Sequence, residues 1–151
     1  MAGGVTRIVM SSHLVLYQIK KNYRMDQKIV KFGGKENEQD YLAQLVDEGI
    51  KVATSSLVYL QEIGLNEPSQ VGDRWIIQDS QGKQVCEVEV EAVTINTFAS
   101  ITNDFAVKEG DQSFSNWHDI HWTYYSTLLS KYGKKLTDTT QLECVYFKKL
   151  G

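Results

Sequence analysis

A lysine and a threonine that follow a glycine are the residues of this chain whose types and spacing best suit covalent chemistry. They form the pattern Gly49-x-Lys51-x-x-Thr54, directly after a segment whose apolar residues have helical spacing. Gly49 lies where a left-handed helix end is expected, so the turn would fix the backbone from which Lys51 projects. Burial of the Lys51 amine in a cleft would lower its pKa, and a neutral amine can take the proton of a hydroxyl such as that of Thr54.

The same pattern has other readings. On a regular strand, residues three apart face opposite sides, so Lys51 and Thr54 cooperate only if the backbone turns between them. A lysine beside a helix end is also commonly a solvated surface residue. The order G-x-x-x-x-G-K of a phosphate loop is missing, and Gly49 ends a helix instead of opening one, which argues against a nucleoside triphosphate site.

Two histidines lie three residues apart on a predicted helix. His118 and His121 are flanked by Trp117 and Trp122, and their spacing can present two ring nitrogens to one metal ion. The sequence signals no third ligand, so we expect no metal ion. We expect instead that the two histidines bridge core and surface or line a pocket. The G-x-S-x-G and Cys/His nucleophile patterns are missing as well, and we expect no cofactor.

The composition is that of one folded domain. The chain has 151 residues, of which 42% are hydrophobic, and a single proline. No apolar run is long enough to span a bilayer, and no cleavage site follows the fairly apolar residues 8–19. Cys86 and Cys144 lie in strand-like runs and are expected as small buried hydrophobes in a reducing compartment. We therefore expect a cytoplasmic protein without a membrane partner.

The charge is distributed unevenly along the chain. Residues 1–35 hold seven Lys or Arg against one acid, a net charge of +6, whereas the remainder holds nine against eighteen, a net charge of −9. We treat residues 1–31 as a basic N-terminal segment and residues 32–151 as the domain. The segment either meets phosphate or packs back onto its own acidic domain. The overall charge of −3 argues against a general nucleic-acid coat, and DNA is not expected as a partner.

Apolar periodicity and caps predict three helices. The first covers Asn37 to Glu48 and ends at Gly49, and the second is short, capped by Ser55 or Ser56 and ended by Gly64. The longest begins after Ser113 or Ser115, runs through Tyr132 and is stopped by Gly133. Its buried stripe is predicted to consist of Trp117, Ile120, Tyr124, Leu128 and Tyr125.

Alternating runs predict the strands. Arg74 to Gln78 and Gln84 to Val93 read as a hairpin, in which Cys86, Val88, Val90 and Ala92 form the apolar face. A last strand is expected from Leu142 to Phe147. Short strands with helices between them predict an α+β domain built on a small mixed sheet or barrel.

The ordered set of motifs resembles the ASCH domain family, a branch of the PUA-like β-barrel superfamily. The similarity covers Phe32 to Phe147, and the motifs that carry it are Phe32-Gly33-Gly34, Gly49-x-Lys51-x-x-Thr54, Val71-Gly72-Asp73, Val85-Cys86, Phe105-Ala106, Glu109-Gly110-Asp111 and Trp117…His121-Trp122. The resemblance implies a small mixed β-barrel with helices inserted between strands, and a cleft lined by the G-x-K-x-x-T residues.

The resemblance also implies a link to RNA or modified nucleosides. One branch of the family hydrolyses N4-acetylcytidine with a lysine, a threonine and a glutamate, and those roles would fall here on Lys51, Thr54 and Glu109. Thr54 would attack the amide or position the water that does, Lys51 would act as base or oxyanion partner, and Glu109 would hold Lys51 and relay the proton. Candidate stacking or edge-reading groups are Tyr59, Trp75, His121 and Trp122.

Three further functions stay open from the sequence. The chain could be a non-catalytic RNA-binding module whose residues 20–35, including Lys20, Lys21 and Arg24, contact phosphate. It could be a ribonuclease that uses the same cleft. It could also be a regulatory domain whose cleft is inert, because likeness of fold does not select a chemistry.

Overall fold

The computed structural model describes residues 8–11, 15–21 and 26–151, with side chains from residue 27 onward. Its elements in chain order are β1 (Ile8–Ser11), β2 (Val15–Lys21), β3 (Asp26–Lys31), α1 (Glu36–Asp47), β4 (Ala53–Leu57), α2 (Val58–Glu62), β5 (Arg74–Gln78), β6 (Gln84–Thr97), α3 (Asn103–Glu109), α4 (Phe114–Ser130) and β7 (Gln141–Lys149). The side chains of Lys20, Lys21 and Arg24 lie outside the described residues, so their phosphate contacts stay a prediction.

The strands form one mixed sheet in the order β1-β2-β3-β5-β6-β7-β4. All neighbouring strands run antiparallel except β3 and β5, which are parallel. The helices lie in the connections between strands, and the predicted α+β class with a mixed sheet is confirmed. No helix within the described residues is both long and apolar enough to cross a membrane.

Apolar side chains pack in two clusters around the β4–β7 ribbon. The first cluster joins α1 to strands of the sheet and includes Phe32, Trp75 and Phe147. The second joins α3 and α4 to β4 and β7. Every residue of β4 is buried, because both faces of this edge strand are covered. Both cysteines are free and buried, as predicted.

Two predicted elements have the expected ends. The first helix matches the prediction to within one residue, and Gly49 has the left-handed φ of +75° that its position requires. The hairpin of β5 and β6 also begins at the expected residues, although β6 continues to Thr97 because its second half pairs with β7.

The predicted cap of the second helix is wrong. Ser55 and Ser56 are strand residues of β4, paired with Cys144 and Glu143 of β7, and α2 begins only after Leu57. Serine is a good N-cap locally, but here the pairing with β7 satisfies the backbone and keeps it extended.

The longest helix is capped by Ser113 as predicted, but its buried stripe is rotated. Ser113 accepts a hydrogen bond from the backbone N–H of Asn116 at 3.1 Å. Ile120, predicted to be buried, is 42% exposed. Trp117, Tyr125 and Leu128 are buried as predicted, Tyr124 is half-buried, and His121 and Leu129 complete the buried row. Residues at i and i+4 share a helix face, so one row of α4 packs inward and carries a histidine.

We expect the Gly110→Ala variant to lose more stability than Gly133→Ala. Both glycines have a positive φ, of +104° and +69°, which costs an L-residue about 1 kcal/mol. A Cβ at Gly110 would lie 3.2 Å from Leu45 Cδ1 and 3.6 Å from Lys51 Cβ, whereas nothing lies within 4 Å at Gly133. Overpacking should raise the loss at Gly110 to about 2–3 kcal/mol in urea denaturation. Equal losses in the two variants would contradict this close approach.

Candidate functional site

Lys51 projects from a turn that two hydrogen bonds hold in place. The backbone N–H groups of Ile50 and Lys51 both donate to the carbonyl of Leu45, at 2.9 and 3.0 Å, directly after α1 ends. The Lys51 side chain is fully buried. Its Nζ donates to the carbonyl oxygens of Ala53 at 2.8 Å and Glu109 at 3.0 Å. Of the two readings of Lys51 that the sequence left open, the structure therefore has the buried one, with the amine fixed in position.

Burial lowers the pKa of Lys51 from its ordinary 10.5, and the negative charges of Glu109 and Asp111 oppose that shift. A neutral amine has two N–H bonds and one lone pair, and the two carbonyl oxygens take both N–H bonds. The Glu109 carboxylate is 3.9 Å from Nζ, too far for a third hydrogen bond. Burial thus favours the neutral amine, whereas the Glu109 carboxylate and the face of the Phe32 ring, 4.8 Å from Nζ, favour the ammonium.

Glu109, the last residue of α3, is buried and held at both carboxylate oxygens. Oε1 accepts hydrogen bonds from the Trp117 indole at 2.7 Å and from the Ser55 hydroxyl at 2.9 Å, and Oε2 accepts from the Ser55 backbone N–H at 3.2 Å. Because Ser55 gives its proton to Glu109, the hydroxyl of Tyr125 donates to Ser55, at 2.8 Å. Residues from β4 and α4 therefore fix the carboxylate beside Lys51.

His121 lies between this buried cluster and the surface. Its Nδ1 is 2.8 Å from the carbonyl oxygen of Trp117, and its ring stacks on the Trp117 indole at a centroid distance of 4.3 Å. Nε2 lies 3.4 Å from Oε2 of Glu109, and Nδ1 lies 3.8 Å from Oδ2 of Asp111. The ring is thus oriented by its own helix, with one nitrogen directed at the carboxylate that faces Lys51.

Glu109, Asp111 and His121 are close enough together to be tested as a metal site. One ligand atom of each lies within 4.8 Å of the others. The donor set does not fit a cation, because Glu109 already accepts three hydrogen bonds and Lys51 Nζ lies 3.9 Å from its Oε2. The three side chains lie instead at ion-pair distances from one another, with 3.4 Å from His121 Nε2 to Glu109 Oε2 and 3.8 Å from His121 Nδ1 to Asp111 Oδ2.

A cavity of about 590 Å³ opens beside the buried cluster. It lies between α1, the turn after α3, and α4, and its lining residues are Gly34, Lys35, Glu38, Tyr41, Leu42, Gly110, Asp111, Ile120, His121 and Tyr124. Its volume is within the range of small-molecule sites. Asp111 and His121 belong both to the cavity wall and to the network around Glu109, so they connect the two.

Thr54 is buried on β4, next to the residue that binds Glu109. It pairs with Val145 of β7, and strand alternation places its side chain on the face opposite that of Ser55. Lys51 precedes the strand, so this alternation does not fix its direction, and its cooperation with Thr54 stays a prediction. The role of Thr54 as nucleophile stays a prediction.

The other predicted ligand-binding aromatics lie away from Lys51, and only His121 lines the cavity described above. Tyr59 packs edge-on against Tyr132, with 5.9 Å between ring centroids. Trp75 is 5% exposed and packs on Phe147 in the sheet core. Trp122 is 40% exposed and stacks on His118 beside a separate surface pocket. The structure brings together Lys51, Glu109 and His121, and the contacts of Tyr59, Trp75 and Trp122 with a ligand stay predictions.

The sequence reasoning missed the contact of Ser55 with Glu109 and the polar roles of Trp117 and Tyr125. Ser55 was assigned to a helix cap, while Trp117 and Tyr125 were assigned only to the apolar stripe of the long helix. The signal that could have found them is the spacing of Trp117, His121 and Tyr125, four residues apart, which puts three polar aromatic groups on one helix face.

These features define an α+β protein of the PUA-like fold, with a curled sheet, a buried lysine–glutamate cluster and an adjoining cavity. The ASCH domain model matches residues 28–151, and the chain belongs to the ASCH domain family. The crystal structure of the ASCH domain from Lactobacillus crispatus JV V101 is similar, with a TM-score of 0.76 and 26% identity, covering 80% of this chain and 77% of that chain.

A protein from Enterococcus faecalis V583 has the same fold. Its TM-score is 0.73 at 24% identity, and the similarity covers 80% of this chain and 74% of that chain. A search of the curated proteins returned no significant match. The predicted family and PUA-like fold are therefore confirmed by the family match and by the first of these structures.

We expect Glu109→Gln to destabilise the protein although it preserves the shape of the side chain. Each carboxylate oxygen accepts a hydrogen bond from an N–H group, one of Trp117 and one of the Ser55 backbone, and neither N–H group can act as an acceptor. The amide offers only one oxygen, so one donor must face an NH₂ group, and a loss of about 3 kcal/mol is expected in urea denaturation.

Glu36→Gln in the first turn of α1 is the matched control, because Glu36 is exposed and its loss should be at most about 0.5 kcal/mol. Similar small losses in both variants would show that the hydrogen bonds to Glu109 contribute little to stability.

Proposed function

We propose that this ASCH protein binds a pyrimidine nucleoside or an RNA base in the cavity between α1 and α4, and hydrolyses an acylated base such as N4-acetylcytidine. One observation carries the proposal. The amine of Lys51 and the main chain and carboxylate of Glu109, 58 residues apart in sequence, meet in a buried cluster that borders an open cavity. Buried titratable groups beside a cavity are typical of catalytic sites.

The proposed chemistry is acyl transfer to Thr54. Thr54 Oγ1 forms a bond to the amide carbonyl carbon, and its proton passes to the lone pair of Lys51 Nζ. The carbon–nitrogen bond then breaks, and Lys51 passes this proton to the exocyclic nitrogen, which leaves as the amino group of cytidine. Water next attacks the resulting ester and gives one proton to Lys51, which passes it to Thr54 Oγ1 as the ester bond breaks, and acetic acid is released. During these steps the backbone carbonyl of Glu109 accepts a hydrogen bond from Lys51 Nζ, and the Glu109 carboxylate supplies a negative charge 3.9 Å from that nitrogen.

The cavity wall suits a nucleobase. Tyr41, Leu42, Ile120 and Tyr124 supply apolar and aromatic surface, while Glu38 and Asp111 supply carboxylate oxygens. Carboxylates accept hydrogen bonds from exocyclic amino groups, and aromatic rings stack on base faces. This combination supports a small planar ligand with N–H donors.

RNA binding without catalysis is the second candidate, since the PUA-like fold of the ASCH family is consistent with it. The charge distribution weakens this candidate. Lys28 of the basic segment is buried and bonded to Asp73 at 3.3 Å, and residues 36–151 are strongly acidic. Affinity that falls steeply with salt, and weakens on neutralising Lys20, Lys21 and Arg24, would favour it.

We expect the wild-type protein to convert N4-acetylcytidine to cytidine, with the products separated by liquid chromatography. Lys51→Met removes the base and Thr54→Val removes the nucleophile, and each should lower kcat/KM by at least about 100-fold. Lys131→Met, at an exposed lysine after α4, is the matched control and should keep the wild-type rate. No conversion by the wild type, or full activity in Lys51→Met, would remove the hydrolase proposal.

The rate should also depend on pH in a defined direction. Because the pKa of Lys51 is lowered by burial, the neutral amine forms below the ordinary 10.5. Activity should therefore rise with pH through an inflection below that value and be lost on acidification. The pH profile of kcat/KM measures this, and a rate that increased on acidification would contradict a base role for Lys51.

A further inference from the structure

Lys51 and Glu109 meet through the main chain of Glu109 and not through its carboxylate. Lys51 Nζ donates a hydrogen bond to the backbone carbonyl of Glu109 at 3.0 Å, whereas the carboxylate oxygen Oε2 lies 3.9 Å from the same nitrogen. An ammonium and a carboxylate that pair directly approach to about 2.8 Å. Because both side chains are fully buried, where such pairing is strong, other contacts must hold the carboxylate back.

Three donors from two other elements hold this carboxylate. Trp117 Nε1 on α4 donates to Oε1 at 2.7 Å, a distance typical of a charge-assisted hydrogen bond. The Ser55 hydroxyl on β4 donates to the same oxygen at 2.9 Å, and the Ser55 backbone N–H donates to Oε2 at 3.2 Å. These bonds orient both oxygens of the carboxylate without any contribution from Lys51.

The donors themselves are fixed by packing and by strand pairing. The Trp117 indole is fully buried, stacks on His121 at a centroid distance of 4.3 Å and contacts Phe98 at 5.2 Å. Ser55 is fully buried and pairs with Cys144 of β7. Neither residue can follow the carboxylate if it moves towards Lys51, so such a movement would break their hydrogen bonds.

We propose that Trp117 and Ser55 are positioning residues that hold the Glu109 carboxylate out of contact with Lys51, and that this separation keeps the proton of the lysine exchangeable. The inference rests on the proposed hydrolysis, in which Lys51 takes up and releases a proton twice in each turnover. It gives a role in that reaction to two residues that do not line the cavity.

Coulomb's law gives the size of the effect. At an effective dielectric constant of about 20, closing the distance between the charges from 3.9 Å to about 2.8 Å raises the affinity of the amine for its proton on the order of tenfold. At any pH below the pKa of Lys51, a direct contact would therefore leave about ten times less neutral amine to act as a base.

Other groups also act on the proton of Lys51. Burial lowers the pKa of Lys51, the charges of Glu109 and Asp111 oppose that shift, and the Phe32 ring lies 4.8 Å from Nζ. The further titratable groups around Lys51 and Glu109 are His121 and Tyr125 on α4 and Cys144 on β7. All of these groups are retained in the variants below.

The pKa of Lys51 tests the proposal without any substrate. A ¹³C NMR titration of the lysine Cε resonances, with the Lys51 signal assigned by its loss in Lys51→Met, compares the wild type with Trp117→Phe and Ser55→Ala. Trp117→Phe removes the shortest of the three hydrogen bonds, and the pKa of Lys51 should rise by about one unit, a tenfold change in proton affinity. Ser55→Ala keeps the Trp117 donor and should give a smaller rise, and it decides the matter alone if Trp117→Phe does not fold.

Phe98→Leu is the matched control, because it opens a space against the same indole and keeps the N–H donor. It should leave the pKa of Lys51 unchanged. An equal rise in Phe98→Leu would show that a loosened core shifts the amine, and would overturn the proposal. A pKa of Lys51 that is unchanged or lower in a folded Trp117→Phe or Ser55→Ala variant would overturn the role of the residue that is altered.

Kinetics separate this role from the proposed function. In Trp117→Phe the inflection in the pH profile of kcat/KM for N4-acetylcytidine should move upward with the pKa of Lys51, so the rate below the inflection should fall about tenfold. A residue that served stability alone would leave the inflection in place. An inactive wild type would overturn the proposed hydrolysis, whereas the NMR titration would still decide whether Trp117 and Ser55 hold the carboxylate away from Lys51.

Discussion

The site depends on one interaction, the burial of the Lys51 amine against two backbone carbonyls and the Glu109 carboxylate. Removing an ammonium group from water costs several kcal/mol, and the cost falls when the amine becomes neutral or pairs with a charge. This fold supplies both routes, because burial lowers the pKa of Lys51 while Glu109 opposes the shift. The proposed base role of Lys51 depends on the balance between these two effects.

Several local features serve that burial. The Leu45 carbonyl fixes the turn after α1, and Gly110 lies so close to this turn that a Cβ there would be 3.2 Å from Leu45 Cδ1 and 3.6 Å from Lys51 Cβ. Ser55 and Trp117, from an edge strand and a long helix, orient the carboxylate. The lysine–glutamate pair therefore connects elements that are distant in sequence, and its geometry is set by the whole domain.

The site has a buried part and an open part with different properties. Lys51 and Glu109 lie in a region without solvent, where electrostatic interactions are strong and protonation states are sensitive to position. The cavity between α1 and α4 is accessible and has a mixed apolar and polar wall. His121 and Asp111 line this cavity and also lie close to the buried cluster, at 3.4 Å from His121 Nε2 to Glu109 Oε2.

Local sequence signals predicted the parts of this arrangement that are local. The helix end at Gly49 and the start of the β5–β6 hairpin follow from short patterns, and so does the cap at Ser113. Assignment of Ser55 to a cap was wrong because pairing with β7, almost ninety residues later, outweighed its local preference. The rotation of α4 also depends on a distant partner, since its inward row is selected by Glu109 and β4.

Aromatic residues show a similar limit. Trp75 and Trp122 have side chains suited to stacking on a base, and nothing in their local sequence separates a core position from an exposed one. The sheet register places Trp75 in the core, and the helix rotation leaves Trp122 at the surface. The family motifs identified Lys51 and Glu109 because those motifs preserve their order along the chain, which local periodicity does not encode.

The protonation state of Lys51 tests this account most directly. A ¹³C NMR titration of the lysine Cε resonances, with the Lys51 signal assigned by its loss in Lys51→Met, measures that state in the folded protein. The account predicts that the amine becomes neutral at a pH below the ordinary lysine pKa of 10.5. An amine that stays charged up to 10.5 or beyond would contradict it, because Lys51 would then be a structural cation and not a base.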